Sequence, residues 1–235
     1  TSRALRTLGT IASRFQVKDL PRAWSLVGPY GSGKSSFALF LSHLLTAPNS
    51  KKAEAAREIL KRSDTDLEKL FASETLGTDG YLEVLISGTP ERLSLRFLRG
   101  LNDAMTAHWQ GRKGKKPKVF LEIQRYTDIG EVSVSELIEL TKSCQSALTK
   151  VGCPGMMIVF DEFGKFLEYE SRFLGVNDVF LLQALAEHAH AGHSTKIILL
   201  VLLHQSIEQY ARGVGESLKN EWAKIQGRFE EVPFL

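Results

Sequence analysis

The sequence predicts an α/β fold in which a mostly parallel sheet lies between two layers of helices. Apolar runs of strand length recur along the chain, amphipathic helical segments separate them, and glycine or proline marks many of the turns. The composition agrees, because 43% of the 235 residues are hydrophobic and 24% are charged, which are ordinary values for a folded domain. We therefore exclude a disordered chain, a collagen-like fibre and a coiled coil.

In the first half of the chain, local signals predict two strands and five helices. Apolar runs that end at glycine or at a polar turn predict the strands Ala23–Val27 and Tyr81–Ser87. Apolar residues at helical spacing predict the helices, and Pro48 and Pro90 mark helix boundaries. The helices are a lead-in within residues 1–22, then Lys34–Leu45, two short charged helices within 51–73, and Leu93–His108. We interpret about 47–80 as a helical insertion in a domain spanning 23–235.

In the second half, a charged loop at Gly111–Lys118 precedes an amphipathic segment. Ser133 followed by Glu136 is the pattern of a capping box, and it predicts a helix from Ser133 to Lys150. Three apolar runs predict strands, and two periodic segments predict helices. The predicted strands are Met156–Phe160, Lys196–Leu203 and Val232–Leu235, and the predicted helices are Val179–His190 and a single final helix at Ile207–Ile225.

Charge, cysteine count and hydropathy limit the cellular compartment and the kinds of partner that we expect. The net charge is +3, which permits contact with nucleic acid without indicating it. Cys144 and Cys153 lack metal-ligand spacing and are too few for a disulfide scaffold, so we expect a reducing cytoplasm and two inert packing residues. No apolar run approaches about 18 residues, so we expect no membrane contact. Because the sequence starts at Thr1, we expect a domain excised from a longer protein.

A glycine-rich segment carries the strongest motif in the sequence. Gly28-Pro29-Tyr30-Gly31-Ser32-Gly33-Lys34-Ser35 matches G-x-x-x-x-G-K-[ST], follows a predicted strand and opens a predicted helix. Glycines let successive main-chain N–H groups point at a phosphate, and the positive end of the helix adds attraction. We expect Gly28–Ser36, including Ser36, to bind the phosphates, Lys34 to reach the β- and γ-phosphates, and Ser35 to ligate Mg²⁺. The predicted fold is thus a three-layer αβα P-loop NTPase.

Two acids follow a buried strand at the edge where ligands bind in parallel sheets. Asp161 and Glu162 come directly after Met156–Phe160. We expect Asp161 to hold Mg²⁺ through water and Glu162 to orient and activate the attacking water. Asp161–Gly164 also fits the D-x-x-G motif of GTPases. The sequence contains no Asn-Lys-x-Asp guanine signature, however, and the long separation from Lys34 leaves room for another strand near Tyr81–Ser87.

The order of four features resembles the AAA+ family of ATPases. These are the phosphate loop, the acid pair, a polar strand tip at His204 or Gln205, and Arg228 before a last strand. The resemblance covers about residues 25–235. It implies binding and hydrolysis of ATP with Mg²⁺, a γ-phosphate contact for His204, and assembly as a homo-oligomer or with other subunits of a larger complex. It also implies that Arg228 is an arginine finger, which reaches the γ-phosphate held by a neighbouring subunit.

A second resemblance lies in the amino-acid sequences of three segments. Residues 26–34, Asp161–Lys165 and Glu221–Lys224 are similar to the ATPase modules of large bacterial anti-phage defence proteins. This resemblance implies a motor or switch that works with nuclease or DNA-modifying partners.

Several alternatives remain open. One is a nucleotide-dependent oligomerisation switch with little turnover, and another is a small-molecule P-loop kinase, for which no arginine-rich lid is evident. A third is DNA binding through the basic loop Arg112–Lys118, beside which Trp109 could stack on a base or serve in packing. His188, His190 and His193 could bind a metal, but no acid or cysteine completes the set.

Overall fold

Five parallel strands form a single sheet in the computed structural model, which describes residues 2–17, 20–110, 112, 115–173, 178–190, 195–212 and 214–234. The strand order is β2-β3-β4-β1-β5, and each neighbouring pair is parallel. The predicted α/β class and parallel sheet are therefore confirmed. The strands are β1 Ala23–Val27, β2 Leu82–Ser87, β3 Gly155–Asp161, β4 Lys196–Leu203 and β5 Glu230–Pro233.

Helices pack on both faces of this sheet, as the alternation of buried side chains requires. In β3, Met156, Ile158 and Phe160 join one apolar core, while Met157 and Val159 join the other. Strands that are buried on both faces appear in the sequence as continuous apolar runs, which is why they were predictable. The helices are α1 Ser2–Ser13, α2 Lys34–Leu45, α3 Lys51–Ser63, α4 Thr65–Thr75, α5 Leu93–Trp109, α6 Lys118–Ile129, α7 Val134–Lys150, α8 Gly164–Arg172, α9 Phe180–His190, α10 Ile207–Tyr210 and α11 Glu216–Gln226.

The lead-in helix and the helices of the predicted insertion belong to one of the two cores. Leu8 of α1, Leu60 of α3 and Phe71 of α4 are buried with Trp24 of β1 and Leu41 of α2. The other face is covered by α5, α6, α7 and α9, together with Trp222 of α11. Burying large side chains of this kind contributes about 1.5–3 kcal/mol each. The lead-in therefore stabilises the same core as β1, which leads into the glycine-rich loop.

The single final helix predicted at Ile207–Ile225 is wrong, because the structure contains two helices in this region. Ser206 and Gln209 form a capping box that starts α10, and this helix ends at Tyr210. Gly215, with an extended backbone at φ −63° and ψ 152°, then stands as N-cap of α11. Gly213, the other glycine in the predicted helix, lies outside the described residues.

Two helices have no counterpart among the predicted elements. One is α6, which begins after Pro117 and buries Val119, Phe120 and Ile123. The other is α8, which begins two residues after Glu162. By contrast, the capping box predicted at Ser133 is confirmed, since its side chain accepts from Glu136 N and Glu136 bonds back to the Ser133 backbone.

The parallel sheet places the ends of distant segments along one edge. The carboxyl ends of β1, β3 and β4 are followed there by Gly28, Glu162 and His204. In the sheet, β4 lies between β1 and β3. The strand predicted at Tyr81–Ser87, which is β2, lies at the outer end of the sheet next to β3. Among the described helices, each is too short or too polar to span a bilayer.

Candidate functional site

The loop between β1 and α2 has the backbone that its glycines allow. Gly31 and Gly33 have φ values of 79° and 91°, which residues with a Cβ rarely adopt. A Cβ on Gly28 would lie 1.7 Å from the carbonyl oxygen of Phe234, so this position excludes a larger residue. Among the described residues, no side chain caps the first turn of α2. The N–H groups and partial positive charge of this helix end are therefore available to an anion.

Lys34 lies folded back over this loop. Its Nζ donates to the carbonyl oxygens of Gly28 at 2.6 Å and Pro29 at 2.9 Å, and to Ser32 Oγ at 3.2 Å. Burial lowers the pKa of Lys34 from its ordinary value, and the attraction of Asp161 acts in the opposite direction. The ammonium is thus a buried cation whose direct partners are neutral dipoles, and a phosphate entering beside it would be attracted strongly.

Asp161 joins the acid pair to the end of the glycine-rich loop. Its Oδ2 accepts a hydrogen bond from Ser35 Oγ at 2.8 Å, although the two residues are 126 positions apart in the chain. Its Oδ1 accepts from the N–H of Glu162 at 2.8 Å, which fixes the orientation of the carboxylate. A hydroxyl and a carboxylate oxygen at this separation are hard oxygen donors, the kind that Mg²⁺ prefers. These two side chains therefore fit a divalent cation bound beside the loop.

Glu162 has an unusual backbone and a charged partner. Its φ is 50°, the only left-handed value among the described residues other than glycine. Its Oε2 accepts a hydrogen bond from Lys165 Nζ, and this bond raises the pKa of Lys165. The two side chains are 41% and 45% exposed, so water screens the ion pair and it can be exchanged readily. The carboxylate is therefore free to take a new partner when a ligand enters.

Gly88, which follows β2, supports the acid pair from the neighbouring strand end. Its N–H donates to the carbonyl oxygen of Asp161 at 2.8 Å. A Cβ at this position would lie 2.2 Å from the carbonyl oxygen of Glu162, which is backbone and cannot move alone.

We expect Gly88→Ala to lower the free energy of unfolding by about 1–3 kcal/mol, because the new methyl group must push the Asp161–Glu162 backbone aside. Urea denaturation measures this change. Gly9→Ala is the matched control, since a Cβ there meets nothing within 4 Å and Gly9 lies in α1. It should raise stability by about 0.4–1 kcal/mol. Equal stability changes in the two variants would contradict the close approach at Gly88.

The polar strand tip is held by two tyrosines. The Tyr210 hydroxyl lies 2.8 Å from Nδ1 and 2.9 Å from Nε2 of His204, and the Tyr30 ring stacks on the imidazole with centroids 5.1 Å apart. Burial is the largest cause of the raised pKa of Tyr210, so its hydroxyl stays protonated. Tyr30 itself is 72% exposed. His204 is thus oriented at the cleft by contacts from both sides.

These parts surround one cleft with a volume of about 230 Å³. Of the predicted site residues, the structure brings nine together around it: Tyr30, Gly31, Gly33, Lys34, Ser35, Ser36, Asp161, Glu162 and His204. Gly28, Pro29 and Ser32 accept hydrogen bonds from Lys34 and hold its side chain in place. An apolar groove of about 570 Å³ shares Gly33 and Ser36 with the cleft and continues between α1, α2 and α3.

Arg228 lies away from this cleft. It precedes β5, whose Glu230 pairs with Trp24 near the amino end of β1, so it lies at the opposite edge of the sheet from the phosphate loop. Its guanidinium forms an ion pair with Glu187 of α9 at 2.9 Å, and its side chain is 49% exposed. Within one chain, the structure does not bring Arg228 to the site.

The remaining chemical candidates are packing residues. Cys144 and Cys153 are buried and unpaired, and burial raises the pKa of Cys153 to about 11. His188 Nε2 lies 2.5 Å from Gln145 Oε1, and His193 lies outside the described residues. In the part of the chain that the structure describes, no three His, Cys, Asp or Glu side chains are grouped as a metal site. Trp109 is 8% exposed and packs in the core.

Sequence reasoning missed Gly88, Lys165 and Tyr210. Each acts through a contact with a residue that was predicted, and Tyr210 also approaches Gly164, where a Cβ would meet its hydroxyl oxygen at 2.0 Å. The position of Lys165 three residues after Glu162, at the start of a helix, was the one available signal.

Comparison with known proteins gives no relative: no protein-family model, no curated protein and no solved structure matches the chain.

Proposed function

We propose that this chain binds ATP with Mg²⁺ at the carboxyl edge of the sheet and hydrolyses it. The observation that carries the proposal is the hydrogen bond between Ser35 and Asp161, because it joins a phosphate-loop hydroxyl to a strand-end carboxylate at the mouth of one cleft. The position of β4 between β1 and β3 supports it further, since the tip of β4 at His204 then lies between the glycine-rich loop and the acid pair. Mg²⁺, when bound, neutralises charge on the β- and γ-phosphates.

The residues of the cleft divide the work between them. The N–H groups of the loop and of the first turn of α2 bind the phosphates, and Lys34 offers its buried ammonium to them. Ser35 and Asp161 would hold the cation. Glu162 orients a water molecule and takes its proton as the oxygen attacks the γ-phosphorus. The bond to the β-phosphate oxygen breaks, and ADP and inorganic phosphate leave. His204 supplies a polar contact at the γ-phosphate end.

The apolar groove beside the loop would bind the nucleoside. Apolar side chains of α1 and α2 line it, among them Leu5, Leu8 and Phe37, and it joins the cleft at Gly33 and Ser36. A base and ribose would bury apolar surface there while the phosphates reach the loop. The missing guanine signature favours adenine over guanine. A wider role in a DNA-associated anti-phage defence protein rests on the sequence resemblance alone.

Two observations favour a second candidate, a nucleotide-dependent oligomerisation switch with little turnover. Glu162 is engaged by Lys165, and Arg228 is engaged by Glu187 at the far edge of the sheet. If Arg228 acts as a finger, it acts on the cleft of another subunit. Steady-state phosphate release separates the two candidates, because sustained release supports the ATPase, whereas ATP-dependent assembly without sustained release at any chain concentration supports the switch.

The test of the proposal is to remove the cation ligand. We expect Asp161→Asn to lower the affinity for ATP in Mg²⁺ buffer by about 10- to 100-fold, since interactions with a charged group contribute about 1.5–3 kcal/mol. In EDTA, the variant and the wild type should bind ATP equally. Isothermal titration calorimetry measures both conditions.

Asp66→Asn makes the same chemical change at an exposed carboxylate of α4 and serves as the control for Asp161→Asn. It should leave binding unchanged in both buffers. Equal ATP affinity of Asp161→Asn and wild type in Mg²⁺ would contradict the proposed cation site.

A further inference from the structure

A second concave surface lies far from the cleft, at the other edge of the sheet. It is a groove of about 580 Å³ between the start of α6 and the last turns of α7. Because α7 leads into the amino end of β3, this surface is on the opposite edge from Asp161. We call it the lysine groove and define it by Lys115, Lys118, Glu122, Ser143, Ser146 and Lys150.

The positive charge of the lysine groove is compensated only in part. Its three lysines are exposed, and among the described residues none of them forms an ion pair. Lys142, on the same helix as Lys150, differs because it pairs with Glu139 at 2.6 Å. Glu122 is the single acid of the set, so the groove carries a net charge of +2. Uncompensated ammonium groups in a concave surface attract anions.

The structure also divides the basic loop that the sequence analysis identified. Arg112 is turned toward Asp79, with Nη2 and Oδ2 3.0 Å apart, and Lys116 lies 4.1 Å from the centre of the Phe120 ring. In the described part of this loop, Lys115 and Lys118 are therefore the lysines that line the groove.

The donors form a row instead of converging on a point. Ser143, Ser146 and Lys150 follow one another at three- and four-residue spacing on the exposed side of α7, where the Ser146 hydroxyl donates to the Lys142 carbonyl oxygen at 3.1 Å, so Ser143 and Lys150 are the donors that this helix contributes. Each step is about one helical turn, or roughly 5.4 Å. Lys118 and Lys115 face this row from the α6 side. A row of this kind fits successive phosphates of a chain, whereas one isolated phosphate would need donors that surround it.

We propose that the lysine groove binds the phosphate backbone of single-stranded nucleic acid. A positively charged groove that follows the backbone is how proteins bind single strands without reading sequence. A duplex is read by an element that projects into its major groove, and this surface is concave. The residues of the ATP site take no part, so this function is separate from the proposed ATPase.

The test is fluorescence anisotropy with a labelled oligothymidine of about 20 nucleotides, without ATP or Mg²⁺. With three phosphate contacts, wild-type affinity should fall by roughly 20-fold between 50 and 200 mM salt, because each contact adds about 0.7 to the logarithmic slope. The double variant Lys118→Gln/Lys150→Gln should reduce this slope by about 1.4 and weaken binding at 50 mM salt by roughly tenfold or more.

The matched control is Lys51→Gln/Lys52→Gln, which removes the same charge from exposed positions at the start of α3. It should bind within twofold of the wild type. Lys34→Ala should also retain oligothymidine binding, and Lys118→Gln/Lys150→Gln should retain the basal ATPase rate, so the two proposals fail separately. If the groove double variant melts early, Lys115→Gln replaces it, because Lys115 precedes the helix.

Four outcomes would overturn the proposal. They are no oligothymidine binding at 50 mM salt, equal weakening in both double variants, displacement of the oligonucleotide by millimolar inorganic phosphate, and preferential binding to vesicles of anionic phospholipid. The third would indicate a site for a single anion, and the fourth would indicate a lipid surface.

Discussion

A Lys34→Ala variant is expected to lose ATP binding while it remains folded. The Lys34 ammonium is buried at the loop and has neutral groups as its direct partners, so its attraction for a phosphate is weakly screened. Losing this interaction costs about 3 kcal/mol, and the affinity should fall by about 100-fold or more. Thermal denaturation measures the effect. At an ATP concentration of 100 times the wild-type Kd, the wild type gains about 2.7 kcal/mol, or about 5–10 °C in Tm, whereas the variant gains about 0.4 kcal/mol or less, which is about 1 °C.

The control for this prediction is Lys52→Ala, which removes an exposed lysine from α3 and should show the full wild-type shift. Lys34→Met separates charge from packing, because it keeps an unbranched side chain over the loop and should also lose binding. A wild-type ATP shift in either Lys34 variant would refute the role proposed for the ammonium, and with it the phosphate site.

The strands and the backbone of the glycine-rich loop were predictable because their signals are local. Each strand that is buried on both faces is a run of apolar residues, and β3 and β4 are the clearest examples. The loop has left-handed glycines at Gly31 and Gly33, of which the motif specifies Gly33, and Gly31 is read directly from the sequence. The meeting of Ser35 with Asp161 follows from the parallel strands, since Asp161 ends β3 and Ser35 begins α2, directly after the loop that leaves the carboxyl end of β1.

The rest depended on contacts between distant segments. The helix ends at Tyr210, whose hydroxyl contacts His204 and lies close to Gly164. The apolar periodicity of residues 207–225 contains no signal for these contacts, so it predicted one continuous helix. Gly88 is constrained by a carbonyl oxygen that comes 74 positions later in the chain. For α6, apolar residues at 119, 120 and 123 supplied a helical signal, but it follows a loop of lysines and glycines that concealed its start.

Glu162 has a left-handed backbone conformation that is unfavourable for glutamate. A left-handed conformation costs a residue with a Cβ about 1–2 kcal/mol, and glycine or asparagine would adopt it at lower cost. Strain of this kind is found where an orientation is needed for function. The neighbouring contacts impose it, since Gly88 packs against the Glu162 carbonyl and Asp161 accepts the Glu162 N–H. A glutamate at this position is therefore explained by its carboxylate, which lines the cleft.

We accordingly expect Glu162→Gln to bind ATP with a Kd within about threefold of the wild type and to hydrolyse it about 10²- to 10⁴-fold more slowly, the usual contribution of a general base. Steady-state phosphate release and calorimetric titration measure the two quantities. Glu162→Gly should be equally inactive yet at least as stable, because it relieves the left-handed backbone. Glu168→Gln, the same change on exposed α8, should keep the wild-type rate. Unchanged hydrolysis in Glu162→Gln would remove Glu162 from the mechanism, since its amide cannot accept the proton of the attacking water.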